Sequence, residues 1–474
     1  MAFRTCLALW IVSVASQALC SKEMVAHPRT QPKTMYLYDM MHLLPLDLKD
    51  ETNRKRIWDE AHFVSSLQGI VNQSGPKLYI LYVKESDTFW YNELRKPGRW
   101  LSDWEVKTIP DLDSLIRTFR RSIRGLVVYD PHVAATSNVA STIAGAEKRA
   151  CVRYDPSEGS LYRRLTGVHK IPVKRWLLHP DGSSLFTGKG TIPGSDEPST
   201  GSAKLDAYVW AIKNYLETGR CSPRRMGYYL DQYWMKNPFP SAQWNHTLTN
   251  HDFFISHRGF FFDLSPWDDE TPIDDPNQPL GAEIKVLKRI LLAACRSAKG
   301  EFIHIGGFVP WAYKYTDFPG AGGKHEGVPS EWKFSEIISA YNAYLDADAL
   351  GLSAMANASF YRHFPLKARY PQRRPTEADL KEAGLLREDG KVVPKHYVTF
   401  YVGDYDSAAW VYNMMPALWA DPNRGKVPLT WAINPNLADR AAPMLDWLRA
   451  HASPDDTFMA GDSGAGYINP GMLE

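Results

Sequence analysis

Apolar residues recur every three to four positions at Ile57, Ala61, Val64, Leu67 and Val71, and the run stops at Gly75-Pro76. That spacing predicts an amphipathic helix closed by residues that cannot continue it. Lys77 to Val83 is almost continuously apolar and rich in aromatic and β-branched residues, which predicts a strand. A second helical stripe, Leu112, Leu115, Phe119 and Ile123, has Gly125 placed as its C-cap, and Leu126–Tyr129 follows as a short buried strand closed by Asp130-Pro131. This alternation predicts a small α/β domain on a parallel sheet over residues 30–155.

Residues 156–222 read as a second small domain or linker region. They contain a Gly/Ser/Pro-rich loop from Gly188 to Ser202, then a helix through Leu205, Tyr208, Ile212 and Leu216 that ends at Gly219. Beyond residue 223 strands are predicted at Met226–Leu230, Gly259–Leu264, Phe302–Ile305, Ala349–Met355, His396–Val402, Leu429–Ile433 and Thr457–Ala460. Helical stripes at Ile284–Ala294, Phe334–Leu345 and Pro443–Ala450 separate them. Strands apolar on both faces are parallel strands covered by helices. Their number predicts a (β/α) TIM-like barrel over 223–474, incomplete by one strand at its C-terminal end.

Charge narrows the partners. Lys and Arg total 55 against 53 Asp and Glu, a formal net charge of +2 with no basic run, so the electrostatic footprint of a nucleic-acid binder is missing. Arg4, the apolar run Cys6–Leu19 and the small residues around Cys20 describe a secretory signal peptide over residues 1–20, too short to span a bilayer. The expected location is therefore secreted or extracellular (periplasmic in a bacterium), with no membrane association after cleavage. Cleavage leaves Cys151, Cys221 and Cys295, which allow either one disulfide and a free thiol or three buried small hydrophobes. Sequons at Asn72, Asn245 and Asn357 permit glycosylation.

In a barrel of this kind functional residues stand at the carboxyl ends of the strands. There the sequence places Asp231, Asp263, Asn434, the pair Asp404 and Asp406, and Asp462. Glycoside hydrolysis needs one protonated and one ionised carboxyl across the scissile bond, and neighbouring acids can split their pKa values by burial and repulsion. Asp404 and Asp406, two apart on an extended segment, are the leading pair, with Asp462 and Asp263 next. Acids at strand ends also cap helices, so each position has a structural alternative. Of the 16 Trp, Trp234, Trp267, Trp311 and Trp410 fall near this rim. Trp267 and Trp311 are the candidate platforms for a sugar ring. Asp268-Asp269-Glu270 with Asp274-Asp275 could hold calcium but lacks the alternating spacing of a known loop, so no cofactor is required. His325-Glu326 sits in a glycine-rich loop, and there is no HExxH, CxxC or G-x-S-x-G motif.

The string from Asp462 to Pro470 resembles the signature of the GxGYxYP putative glycoside hydrolase family: Gly464, Gly466, Tyr467 and Pro470 match, and Asn469 stands where the signature has its second tyrosine. GLVVYDPHVAATSNVASTIAG, RGFFFDLSPWDDETPIDDPNQPLG and IHIGGFVPWAYKYT are similar to members as well, and Gly403–Ser407 resembles an acidic motif of relatives. The resemblance implies an N-terminal α/β portion, a barrel-like C-terminal domain, secretion, and a chain that continues past the signature. Together these readings point to a secreted glycosidase acting on a carbohydrate, with Tyr467 positioning the sugar or a carboxylate. A non-catalytic glycan-binding protein, or a metal-dependent carbohydrate deacetylase using Asp404, Asp406 and a histidine, are the alternatives.

Overall fold

The computed structural model describes residues 33–47, 49–229, 250–272, 274–307, 317, 323–347, 356–367, 369–372, 374–405, 407–461 and 466–473. Their strands form four sheets, and every ladder between strands is parallel. The first unit runs β1 (Thr34–Asp39), α1 (Glu51–Val71), β2 (Leu78–Leu81), α2 (Lys84–Arg95), β3 (Glu105–Ile109) and α3 (Leu112–Phe119), with sheet order β2-β1-β3. The second runs β4 (Leu126–Tyr129), α4 (Ala135–Glu147), β5 (Ala150–Arg153), α5 (Leu161–Arg163) and β6 (Val173–Trp176), in the order β5-β4-β6. Helix α6 (Ala203–Ala211) continues as a π-turn through Leu216.

The third unit holds β7 (Arg225–Tyr228), α7 (His251–Ser256), β8 (Phe260–Phe262), α8 (Ala282–Ala298), β9 (Ile303–Gly307), α9 (Gly327–Ser339) and β10 (Ala343–Ala347), ordered β10-β9-β7-β8. After α10 (Ala358–Tyr361) and α11 (Glu377–Glu382) comes the fourth: β11 (Tyr401–Tyr405), α12 (Ala408–Asn413), α13 (Met415–Trp419), β12 (Leu429–Ile433), α14 (Ala442–Ala450) and β13 (Asp456–Met459), in chain order. One apolar core runs through all four, from Met35 to Leu448.

The TIM-like barrel is corrected by this order. Closing a (β/α) barrel requires each strand to lie between its predecessor and its successor. Here β7 lies between β9 and β8, so the sheet opens both ways from its first strand, and β11–β13 form a separate sheet. Among the described residues no closed barrel is present, and the arrangement is one of open, doubly wound α/β sheets. Apolar residues on both strand faces report helices above and below, a condition that open sheets and barrels share; they do not encode which strand is the neighbour. A second correction concerns α9, which ends at Ser339: Asn342 turns at φ 52°, and Ala343–Ala347 is a strand where a helix was expected. The predicted strand Ala349–Met355 lies outside the described residues. Gly125 does not cap α3, which ends at Phe119; a Cβ on Gly125 would stand 2.7 Å from Pro172 O, so the glycine instead allows the close entry into β4.

Helix α1 is buried on nearly every side although it carries polar residues throughout. Asp59 holds Arg153 of β5 through two bonds (2.8 and 2.6 Å), and the Ser66 hydroxyl accepts from the Cys151 N–H. His62 bridges Tyr129 (3.2 Å) and Ser141 (2.9 Å), and Ser65 meets His251 of α7 (3.0 Å). Gln68 donates to Asn357, and Asn72 donates to Leu78 O and Ser359. Gly69 sets the approach of α7, since a Cβ there would lie 2.7 Å from Asp252 O. The sequons at Asn72 and Asn357 are thus fully buried inside these bonds and closed to glycan attachment in the folded chain; Asn245 lies outside the described residues. Cys151, Cys221 and Cys295 are free thiols. Burial pushes the first two up to about 12. Among the described residues no helix is long and apolar enough to cross a membrane.

Burial drives the His62 imidazole down to about 3 from its ordinary 6.5, and His251 shifts the same way. A histidine kept neutral in the fold contributes stability that is complete above the unfolded pKa and is lost as pH falls below it. Asp87 and Asp252, pushed by burial to about 7 and about 6, titrate in the opposite sense, so comparison with a variant isolates the histidine. The stability difference between wild type and His62→Gln in urea unfolding is expected to be largest near pH 7.5 and to shrink by about 1.4 kcal/mol per unit below pH 6.5. A pH-independent difference would contradict the buried neutral imidazole.

Candidate functional site at the carboxyl edge of the C-terminal sheets

The middle of β10 and the exits of β12 and β13 meet through backbone contacts made by the segment after β13. Tyr467 pairs antiparallel with Leu345, its carbonyl accepting from Leu345 N (3.0 Å) and its N–H donating to Leu345 O (2.8 Å). Gly466 reaches that position at φ +109°, where a Cβ would stand 2.4 Å from Leu345 O. Only glycine combines that dihedral with that approach. Asn434, directly after β12, is fully buried; with its amide oriented by its neighbours, it donates to Gly461 O (2.8 Å) and accepts from Gly466 N–H (3.1 Å).

At the exit of β11 the ladder slips. Val402 pairs with Trp431 and Tyr405 with Ile433, so Gly403 and Asp404 together oppose the single residue Ala432. This is a β-bulge, uncommon in parallel pairs and frequent beside active sites, where it breaks the pleat. Asp404 therefore shares one sheet edge with Asn434 and the exit of β13.

Beneath this edge lies a buried charge relay. Asp346 of β10 accepts from His304 Nε2 of β9 (3.0 Å) and pairs with Arg440 (2.7 Å). Arg225 of β7 reaches His304 Nδ1 at 2.6 Å. A guanidinium only donates, so Nδ1 accepts and the ring carries its proton on Nε2. Burial lowers the His304 pKa. Burial works against the Asp346 carboxylate, but Arg440 and His304 outweigh it and hold its pKa below the ordinary value. The chain thus stores one ionised carboxylate behind the edge, its Oδ1 without a hydrogen-bond partner among the described residues.

The β8 side is built differently. Asp263 is buried, accepts from the Tyr208 hydroxyl and lies 4.0 Å from Lys204 Nζ. Lys204 also pairs with Glu283 (2.5 Å) and Asp274 (3.4 Å), and these carboxylates keep it charged despite complete burial. Asp275 accepts from Ser202, Asp269 meets His325 Nε2 (2.7 Å), and Glu270 accepts from Ser265 (2.6 Å). Four of the five acids considered for calcium, Asp269, Glu270, Asp274 and Asp275, are therefore engaged by protein donors, and among the described residues no three His, Cys, Asp or Glu are grouped to hold a metal. Trp267 donates from Nε1 to Ser330 (3.0 Å) and stacks on His325 at 3.8 Å, which covers one of its faces.

Of the residues read from sequence, the structure gathers Asp404, Asn434 and Tyr467. It sets Asp263 and Trp267 at β8, three strand spacings from β10 or roughly 14 Å. Asp231, Trp234, Trp311, Asp406 and Asp462 lie outside the described residues. Sequence reasoning missed His304, Asp346 and Arg440. The signal was available in the first two, each a charge-bearing residue inside a strand otherwise buried on both faces. Aromatic rings gather elsewhere: Trp90, Trp100, Phe364 and Trp447, with Glu93 and Asp446, line a cleft of about 260 Å³ toward the amino ends of β3 and β13.

Comparison with known proteins bears out the resemblance at both ends of the chain. Residues 394–474 match the GxGYxYP putative glycoside hydrolase C-terminal domain, and residues 54–121 match the family's first N-terminal domain. A crystal structure described as a putative hydrolase from Bacteroides thetaiotaomicron VPI-5482 superposes with a TM-score of 0.58 at 17% identity, over 94% of this chain. The chain spans 65% of that protein's length. No curated protein matches it in sequence. The first matched segment contains β11–β13 with Tyr467, and the second contains all but the first three residues of α1 and runs through α3.

Replacing Gly466 by alanine is expected to cost about 2 kcal/mol or more in urea unfolding, from the left-handed dihedral and the clash with Leu345. A Gly471→Ala control, with no close contact at its Cβ except Asn469 Oδ1 at 3.5 Å, should change little. Equal effects at both positions would argue against the docked geometry.

Proposed function

We propose that the chain is a glycoside hydrolase whose carboxylates, Asp404 with Asp406 or Asp462, work at the exits of β11 and β13. The observation that carries the reading is the bulge at Gly403–Asp404: an irregular pairing in a parallel ladder, located at an aspartate on the edge it shares with the exits of β12 and β13. The description of the family matched over residues 394–474, a putative glycoside hydrolase C-terminal domain, supports the activity class. One carboxyl would protonate the glycosidic oxygen while the other acts as base or nucleophile. The apolar N-terminal run supports secretion.

A second reading, glycan binding without turnover, draws on the cleft lined by Trp90, Trp100 and Trp447 with Glu93 and Asp446, since aromatic rings beside carboxylates are the composition that sugar recognition uses. Reducing-end release from a polysaccharide panel separates the two. Asp404→Asn is expected to lower turnover at least about a hundredfold with the circular dichroism spectrum unchanged. Unaltered turnover would remove Asp404 from the mechanism. No release from any polysaccharide, together with binding abolished by Trp100→Ala, would favour the second reading.

A further inference from the structure

A second polar cleft, of about 550 Å³, opens in the N-terminal half of the chain. One wall is the face of α1 that carries Thr52, Lys55, Arg56, Asp59 and Glu60, residues at the three-and-four spacing that puts them on one side of a helix. The other wall is the segment after β5, from Asp155 to Arg164, and Leu112 after β3 closes the floor. The cleft therefore lies outside the carboxyl ends of β1, β3 and β5. In the order β2-β1-β3 the chain reverses direction across β1, which is where open α/β sheets place their ligands.

Its polar groups are oriented in advance. Glu60 is 5% exposed, and its Oε1 accepts from Tyr38 Oη (2.8 Å) and meets His42 Nε2 (2.9 Å). Its Oε2 has no hydrogen-bond partner among the described residues, although the side chain lines the cleft. Arg164 is held rigid by two 2.6 Å bonds to Asp113. At the mouth Arg56 is exposed and forms no ion pair among the described residues. Gly159 bends the opposite wall at φ +80° with open space around it. A buried carboxylate with one oxygen fixed and one unspent calls for a hydroxyl donor, and an unpaired guanidinium calls for an anion. Asp155 and Glu158 add further acceptors on the far wall. A phosphate would meet these carboxylates with like charge, whereas a hydroxylated ring with a single carboxylate satisfies both sets.

We propose that this cleft is a binding site for an acidic saccharide, with Glu60 accepting from ring hydroxyls and Arg56 facing the ligand carboxylate. The volume lies within the range of small-molecule sites and accommodates one or two rings. The proposal takes only its ligand class from the glycosidase reading, and it concerns a site built from other strands.

Titration calorimetry of the full chain with sodium glucuronate tests it, with glucose and inorganic phosphate as comparators. Saturable glucuronate binding is expected, with glucose and phosphate each at least tenfold weaker. Arg56→Gln, an exposed substitution, should raise Kd at least tenfold. Glu60→Gln should do the same, and Asp404→Asn should leave Kd unchanged. No glucuronate binding, binding indifferent to Arg56→Gln, or phosphate binding at least as tightly as glucuronate would each overturn the proposal. Glucuronate bound here by a chain that hydrolyses nothing would leave this site standing and sink the glycosidase reading; hydrolysis without glucuronate binding would do the reverse.

Discussion

A helix with charged and amide side chains on every face can be buried only if most of them find partners, and α1 finds them in a different unit on each side. Asp59 and Ser66 register it on β5, Glu60 on β1, His62 on β4 and α4, Ser65 on α7, and Gln68 and Asn72 on β2 and α10. Each bond contributes only about 1 kcal/mol when made, but an orphaned partner in the interior costs more. The units are therefore fixed relative to one another by satisfaction of polar groups as much as by apolar contact. Gly69 lets α7 approach closely enough for the Ser65–His251 bond to form. The polar stripe that α1 turns outward becomes the wall of a cleft, so one helix both assembles the core and shapes a surface recess.

The C-terminal sheets depend on a comparable arrangement in miniature. Arg225, His304, Asp346 and Arg440 run across β7, β9, β10 and the segment after β12 as alternating donors and acceptors. Buried ion pairs contribute little net stability, but removing one partner leaves an uncompensated charge that costs about 3–5 kcal/mol. In this chain the relay links the two sheets whose exits form the candidate edge. Asn434 and Gly466 add backbone contacts at the same junction. Geometry at the edge is thus enforced from below by charge and from the side by glycine.

Local structure was legible in the sequence where periodicity is strong. Strands β4 and β12 fall on the predicted residues, and α14 and the N-terminal helix are close to theirs. Topology was not legible, because burial of both strand faces says nothing about lateral order; that order is decided by interactions such as Arg225–His304 that join residues far apart in sequence. The strand at Ala343–Ala347 was hidden because its apolar residues continue the helical stripe of α9, and the break rests on Asn342 adopting a left-handed turn. Among the candidate site residues, Asp404 and Tyr467 were visible as a motif. The commitment of Asn434 to two glycine backbones, and of Asp263 to Tyr208, required the folded arrangement to be seen.

The pairing of Tyr467 with Leu345 has a further meaning for the solution behaviour of the chain. Among the described residues strand β10 ends its sheet, and a terminal strand in an apolar parallel sheet presents unpaired N–H and C=O groups to any extended segment that arrives. The glycine-tyrosine dipeptide satisfies Leu345 from within the same molecule. A chain nicked just ahead of it would keep its core yet uncover a template for strand addition by neighbouring molecules. Pairing with Tyr467 thereby takes up both backbone groups of Leu345 that a neighbouring strand would need.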